Sequence, residues 1–262
     1  MDPFLARPAS GFPPHLIAHR GISAKAPENT VAAFSLAAGT SGIDMIELDV
    51  RLTRDGQVIV LHDRTLQRTT TGNGAARMYT LAELQRFDAG SWFDASFTAE
   101  RIPTLWSVLE FARNRLRVNI EIKSDYFHKE PRGLLEEKVL DDVHRCGMEQ
   151  NVMYSSFDHE LISNVKRMDA SAVTGVLYNL YRDLGKRSAK LALRANASIF
   201  VCAKHEVRRG MIKDAHDNGV AVYVYTLNSV GDTKRILDLG VDGIISDNAD
   251  DIVSIVKSHR RT

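Results

Sequence analysis

From Leu105 onward the chain repeats one unit, a helical stretch and a short apolar run. Helices are expected at Leu105–Asn114, Pro131–Cys146, His159–Met168, Leu184–Arg194, Val207–Asn218, Gly231–Asp238 and Asp250–Ser258. Between them lie apolar runs at Leu116–Lys123, Val152–Ser156, Ala172–Tyr178, Ser198–Val201, Val220–Thr226 and Asp242–Ser246. Two more runs come earlier, Leu16–Gly21 and Ile43–Val50. The first leads into a helix opening at Pro27-Glu28-Asn29-Thr30, where Asn29 or Thr30 can cap and Val31, Phe34, Leu36 and Ala38 offer an apolar face. The runs are continuous rather than alternating, the pattern of parallel strands covered on both faces. Eight such strand–helix units in 262 residues predict an α/β chain folded as one (β/α)8 TIM barrel domain spanning 1–262. An open doubly wound sheet is the alternative. Against it, the first turn, HRGISAKAPENT, carries no Gly-rich dinucleotide fingerprint. Residues 64–103 break the rhythm, with a helical patch at Leu81–Phe87 and the aromatics Trp92, Phe93 and Phe97. Forty residues is long for a loop in a compact domain, so the segment is expected to be a small inserted subdomain over one end of the barrel.

The stretch Ile43 to Asp63, IDMIELDVRLTRDGQVIVLHD, concentrates the chemistry. It reads as a strand, a tight Asp55-Gly56 turn and an extended return to His62. Glu47 and Asp49 are two apart, so in a strand they leave the same face. Glu121 and Lys123 repeat that spacing on a later strand. Carboxylates gathered in a buried place repel, and a hard divalent cation with oxygen ligands relieves this. Glu47, Asp49 and Glu121 could thus hold one Mg²⁺ or Ca²⁺. In a barrel the reactive end is where the strands finish, and His19-Arg20 finish the first. Arg20 and Lys123 suit an anionic, phosphate-like substrate. His19 and His62 remain for proton transfer. Two imidazoles, a cation and two basic side chains form a phosphodiester-cleaving set. Other strand ends carry Ser155-Ser156-Phe157-Asp158, Lys204-His205, Tyr225-Thr226-Leu227-Asn228 and Ser246-Asp247. Lys204 and His205 read as surface, Phe157 and Trp92 as packing residues. Thr69–Gly74, TTTGNG, reads as a turn, because it lacks the Lys-Ser/Thr ending of a phosphate loop.

Net charge is +1, so composition gives no reason to expect nucleic acid or an anionic surface as partner. The two cysteines, Cys146 and Cys202, cannot build a disulfide framework or a cysteine zinc site. The opening MDPFLARPASGFPPH lacks a basic stretch before a long apolar run and reads as a lead-in to the first strand rather than a signal peptide. No window approaches a membrane span, so stable membrane insertion is not expected. A cytoplasmic enzyme is the expectation, with a homo-oligomer left open.

Five spaced motifs, HRG at 19–21, PENT at 27–30, ELDV at 47–50, LHD at 61–63 and EIK at 121–123, resemble those of the glycerophosphodiester phosphodiesterase family in its bacterial, cytosolic form. The resemblance runs from Leu16 to about Val256 and includes the insertion after the second strand. It implies a (β/α)8 barrel, a divalent metal, and hydrolysis of a small-molecule glycerophosphodiester to an alcohol and sn-glycerol 3-phosphate. By matching position, it implies that His19 and His62 are the catalytic acid and base and that Glu47, Asp49 and Glu121 are the metal ligands. It likewise implies that Arg20 and Lys123 contact phosphate. Tyr225-Thr226-Leu227-Asn228 stands where the family often has Trp-Thr-x-Asn, which keeps Tyr225 and Asn228 as candidate substrate contacts. SDNAD stands where Thr-Asp-x-Pro is common. A phospholipase D-type hydrolase acting on lysolipids and a non-catalytic phosphodiester-binding protein are the alternatives on the same fold.

Overall fold

The computed structural model describes residues 4, 13–124 and 133–259. Most of the N-terminal lead-in, and the Pro131-Arg132 start of one expected helix, lie outside the described residues. The strands are β1 (His15–His19), β2 (Met45–Leu52), β3 (Val58–Val60), β4 (Arg117–Ile122), β5 (Val152–Ser156), β6 (Val173–Leu177), β7 (Ile199–Ala203), β8 (Ala221–Tyr225) and β9 (Gly243–Ser246). The helices are α1 (Val31–Gly39), α2 (Leu81–Leu84), α3 (Leu105–Ala112), α4 (Leu134–Cys146), α5 (His159–Met168), α6 (Leu180–Asp183), α7 (Ser188–Arg194), α8 (Arg209–Asp217), α9 (Val230–Leu237) and α10 (Ala249–Ser258).

All strands but β3 run parallel and form a ring, because β1 pairs with β2 through Ile17 and Met45 and with β9 through Ile17 and Ile245. That closure makes the fold a (β/α)8 barrel and rules out the open sheet. β3 lies outside the ring, antiparallel to β2 with Val50 opposite Val60. It returns the chain along β2, so that Leu61 N–H donates to the Asp49 carbonyl at 2.9 Å and His62 arrives beside the acidic end of β2.

The period of two along each strand sorts the residues into layers. One set of side chains packs outward against the helices. The inward set fills the lower barrel with Ile17, Met45, Met153, Ile199 and Tyr223. The same register carries His19, Glu47 and Asp49, Glu121 and Ser155 upward from those positions. The barrel is therefore apolar at one end and polar at the other. Gly243 makes room for the Tyr223 ring, since a Cβ there would lie 2.7 Å from it. The Tyr223 hydroxyl donates to the Phe4 carbonyl at 2.8 Å, closing the apolar end.

Of the two cap candidates for α1, Thr30 is the cap, accepting from Ala33 N–H. Asn29 instead takes a left-handed φ of 60° and turns inward. Two local expectations need correction. The buried face of α1 is Ala33, Phe34 and Ala37, with Val31 and Leu36 exposed. VAAFSLAAG is apolar nearly all round, so its pattern cannot set the phase of the buried stripe. Finally, the helix expected at Leu184–Arg194 begins only at Ser188, as α7, because Gly185 takes a φ of 78°, and a separate single turn, α6, precedes it. Residues 64–103 contain the single turn α2 with a Thr80–Glu83 capping box and an apolar cluster that includes Leu66, Ala76, Leu84, Ala89 and Ile102.

Candidate active site

Glu47, Asp49 and Glu121 meet at the polar end of the barrel, each offering a carboxylate oxygen within 4.8 Å of the others. The register accounts for this. Asp49 stands opposite Glu121 across the β2–β4 pair, and His19 opposite Glu47 across β1–β2. All three carboxylates are buried. They line or adjoin a cavity of about 250 Å³ walled by His19, Arg20, His62, Lys123, Phe157 and Tyr225, among others.

Two basic side chains partly neutralise the cluster. Lys123 Nζ lies 2.8 Å from Asp49 Oδ1 and also pairs with Glu121. Arg20 Nε is 3.2 Å from Asp49 Oδ2, and the same guanidinium donates to Glu28 at 2.8 Å. Burial opposes the Asp49 charge, but Lys123 and Arg20 outweigh it and hold that carboxyl far below the usual range. Glu47 has only weaker help, from His19 and Arg20, which burial and its acidic neighbours outweigh. Burial, reinforced by the charge of Asp49, pushes its carboxyl up to about 8. One of its oxygens accepts from Arg20 N–H at 3.0 Å, while the other is buried with no hydrogen-bond partner. An orphaned oxygen, an under-neutralised carboxyl and an all-carboxylate donor set fit a hard divalent cation.

Each histidine is held by a carboxylate on its Nδ1. His19 lies 2.6 Å from Asp247 and His62 lies 2.7 Å from Asp63. The opposite edge, Nε2, of His19 is 3.9 Å from Glu47. Burial works against charge on His19, but the Asp247 hydrogen bond and the nearby Glu47 raise it above an ordinary imidazole. Burial lowers His62, aided by the cations of Lys123 and Arg20 and opposed by Asp49. Asp247 is itself drawn down to about 2, because His19 and Asn228 offset its burial.

The structure brings together His19, Arg20, Glu47, Asp49, His62, Glu121, Lys123 and Tyr225. Tyr225 meets Phe157 edge-on at 6.4 Å, so Phe157 is a cavity wall as well as a packing residue. Asn228 stands apart from the lining. Its amide donates to Asp247 at 2.5 Å, and its carbonyl accepts from Asp247 N–H at 3.0 Å. Lys204 pairs with Asp232 at 2.7 Å and Trp92 donates to the Ala89 carbonyl; neither lines the cavity. Sequence reasoning gives no role to the residues that hold the site, although it notes Asp247 at the end of the last strand. Asp247 holds His19, and Asn29 donates to Asp49 at 2.8 Å. Arg68 bridges Asp63 at 2.6 Å and Glu28 at 2.7 Å. Asn29, Glu28 and Asp63 sit inside PENT and LHD, so the motifs carried a signal. Arg68, in the insertion, carried none.

The characteristic pattern of the Glycerophosphoryl diester phosphodiesterase family matches residues 19–251. A glycerophosphodiester phosphodiesterase of Caldanaerobacter subterraneus is 37% identical over 243 residues, covering 92% of this chain and 97% of its own. Among solved structures, a glycerophosphodiester phosphodiesterase of Agrobacterium tumefaciens superposes with a TM-score of 0.80 at 32% identity, over 92% of this chain and 99% of its own. A phosphodiesterase of Oleispira antarctica, solved in complex with the product sn-glycerol-3-phosphate, superposes with a TM-score of 0.82 at 28% identity, over 95% of this chain and 99% of its own. A match running from the first site histidine past the last barrel strand, with relatives alike along nearly their whole length, means that this chain belongs to the glycerophosphoryl diester phosphodiesterase family.

Proposed function

We propose that the protein hydrolyses small glycerophosphodiesters to an alcohol and sn-glycerol 3-phosphate, with His19 and His62 as the acid–base pair. The observation that carries this reading is the site's arrangement. Two imidazoles, each tied through Nδ1 to its own carboxylate, flank three buried carboxylates at the mouth of one cavity. A non-catalytic binder has no need of both histidines held this way.

Glu47, Asp49 and Glu121 are the residues that would hold one divalent cation, Mg²⁺ or Ca²⁺. When bound, such a cation supplies positive charge for a phosphoryl oxygen. Arg20 and Lys123 border the same space and bind the substrate phosphate through charge-assisted hydrogen bonds. Asp247 and Asp63 fix each ring so that Nε2 is the reactive edge. One Nε2 takes the proton of the attacking hydroxyl, from water or the substrate's own glycerol. The other gives a proton to the departing alkoxide oxygen. Tyr225 and Phe157 offer an aromatic wall to the glycerol side, and Asn228 acts through Asp247.

We further read the chain as one barrel domain with 64–103 as its inserted subdomain. Among the described residues no helix is long and apolar enough to cross a membrane. The two free cysteines are buried, which supports a reducing, cytoplasmic setting. The test is release of sn-glycerol 3-phosphate from glycerophosphocholine and glycerophosphoethanolamine, with EDTA and then with Mg²⁺ or Ca²⁺ restored. Release that stops with chelator and returns with cation supports both reaction and metal. No release by folded protein under any metal refutes the reading.

A further inference from the structure

Beside the cavity mouth, past the end of β6, the chain turns apolar side chains outward. Tyr181 is 98% exposed, Leu184 73% and Leu180 40%. They sit on the single turn α6 and its C-terminal flank. That turn is firmly held. The Asn179 side chain accepts from the N–H groups of Tyr181 and Arg182 at 3.0 and 3.2 Å. Asp183 is buried, accepting from Asn179 N–H and Lys186 Nζ, both at 3.1 Å. The Arg182 guanidinium donates to the Phe157 carbonyl, and Phe157 lines the cavity. The apolar side chains therefore project from a fixed mount at the edge of the active site.

The surrounding charge is one-sided. Arg182, Lys186, Arg187, Lys190, Arg208 and Arg209 lie on α6 and at the starts of α7 and α8, and all are exposed. Those two helix starts adjoin, since Ser188 Oγ donates to the Met211 carbonyl at 2.7 Å. The acids of the same sector are Asp183, which is buried and pairs with Arg182 and Lys186, Asp214, which pairs with Arg187, Asp158 beside Phe157, and Glu206, so the excess of positive charge rests on Lys190, Arg208 and Arg209. In a chain of net charge +1 this is a local concentration of positive charge. Three projecting apolar side chains set among cations are too small for the core of a stable protein interface, which needs about 800 Å² per partner. They match the chemistry of a lipid–water boundary, where aromatic and aliphatic groups enter the acyl edge and basic groups meet anionic headgroups.

We propose that this sector docks the protein on an anionic lipid bilayer, with Leu180, Tyr181 and Leu184 at the acyl edge and the cavity mouth turned to the membrane surface. The contact is peripheral and reversible, and it stands whether or not the hydrolytic reading does. Co-sedimentation with vesicles of equal parts phosphatidylglycerol and phosphatidylcholine tests it, with pure phosphatidylcholine vesicles alongside. The wild-type protein should partition onto the anionic vesicles and be released by high salt. Tyr181→Ser/Leu184→Ser should weaken that partitioning by roughly tenfold or more. Lys190→Glu/Arg209→Glu should weaken it comparably and abolish its salt dependence. Turnover of soluble glycerophosphocholine should stay within about twofold of wild type in both, because neither pair touches the cavity. Equal binding to neutral vesicles, no vesicle binding by wild type, or variants that bind as wild type would each overturn the proposal. So would a change of solution mass in the apolar variant with lipid binding intact, which would assign the patch to self-association.

Discussion

At the scale of single residues, the two histidines are alike in having Nδ1 engaged by an acid, yet they lie in different fields. If each moves one proton, removing either should lower kcat by a factor of about 10² to 10⁴ on a glycerophosphodiester. A leaving group that departs unaided, such as p-nitrophenolate, separates them. One alanine variant, lacking the acid, should recover most of its rate on the activated ester, and the variant lacking the base should not. If both recover, or neither does, the division of labour is wrong. Arg68 invites a second prediction. It holds Asp63 and Glu28, and those in turn orient His62 and Arg20. Arg68→Gln should lower kcat by roughly tenfold with a smaller change in KM, since it acts by loosening alignment rather than by touching substrate. An unchanged kcat would show that His62 and Arg20 need no such brace. The histidines and carboxylates were legible because polar residues inside apolar strands demand a reason. Arg68 was not, because nothing local marks an exposed arginine as a brace for groups in other segments.

At the scale of elements, the HRG turn shows how local backbone shapes the site. Gly21 has a φ of 82°, and a Cβ there would lie 2.5 Å from the backbone of Ala33 in α1. β1 and α1 are thus pressed together through a residue without a side chain. Gly21→Ala should push α1 away, cost about 2 kcal/mol or more, and displace Arg20 and Asn29 from Asp49. The expected readout is a lower urea midpoint together with a fall in kcat/KM. Gly39, at the end of the same helix, meets nothing within 4 Å, and Gly39→Ala should leave activity intact and stability level or higher by a few tenths of a kcal/mol. Should the two glycines respond alike, the close approach is not what matters. The elements themselves were largely legible, because apolar runs and caps are local signals. The phase of α1 and the separate turn α6 ahead of Gly185 were less so. The first needs a barrel wall to pack on, and the second needs Asp183 to be buried under Asn179 and Lys186.

At the scale of the whole molecule, β2 and β4 pair side by side so that their acidic ends adjoin, and closing the ring seals them over a floor already filled by apolar side chains. No sequence pattern states that closure; it follows once eight parallel strands must share a core. The consequence is a group the fold holds against its preference. Glu47, ordinarily near 4.5, is raised to about 8 by burial and by Asp49. The sign is then fixed. Between those values the folded protein binds a proton that the unfolded chain does not, so Glu47 makes the cation-free fold less stable as pH climbs from about 4.5 to about 8. A cation on the three carboxylates must displace that proton at low pH but not at high pH. Saturating Mg²⁺ or Ca²⁺ at about 100 times its Kd adds about 2.7 kcal/mol, roughly 5 to 10 °C in Tm for a domain of this size. The gain should therefore be larger at pH 8 than at pH 6. Glu47→Gln should show the reverse balance. Without cation it should melt no lower than wild type at pH 8, since the raised carboxyl is gone, and it should lose both the cation-dependent gain and turnover. A Tm that ignores cation at both pH values, or a Gln variant that still responds to it, would mean that these carboxylates answer to Arg20 and Lys123 alone.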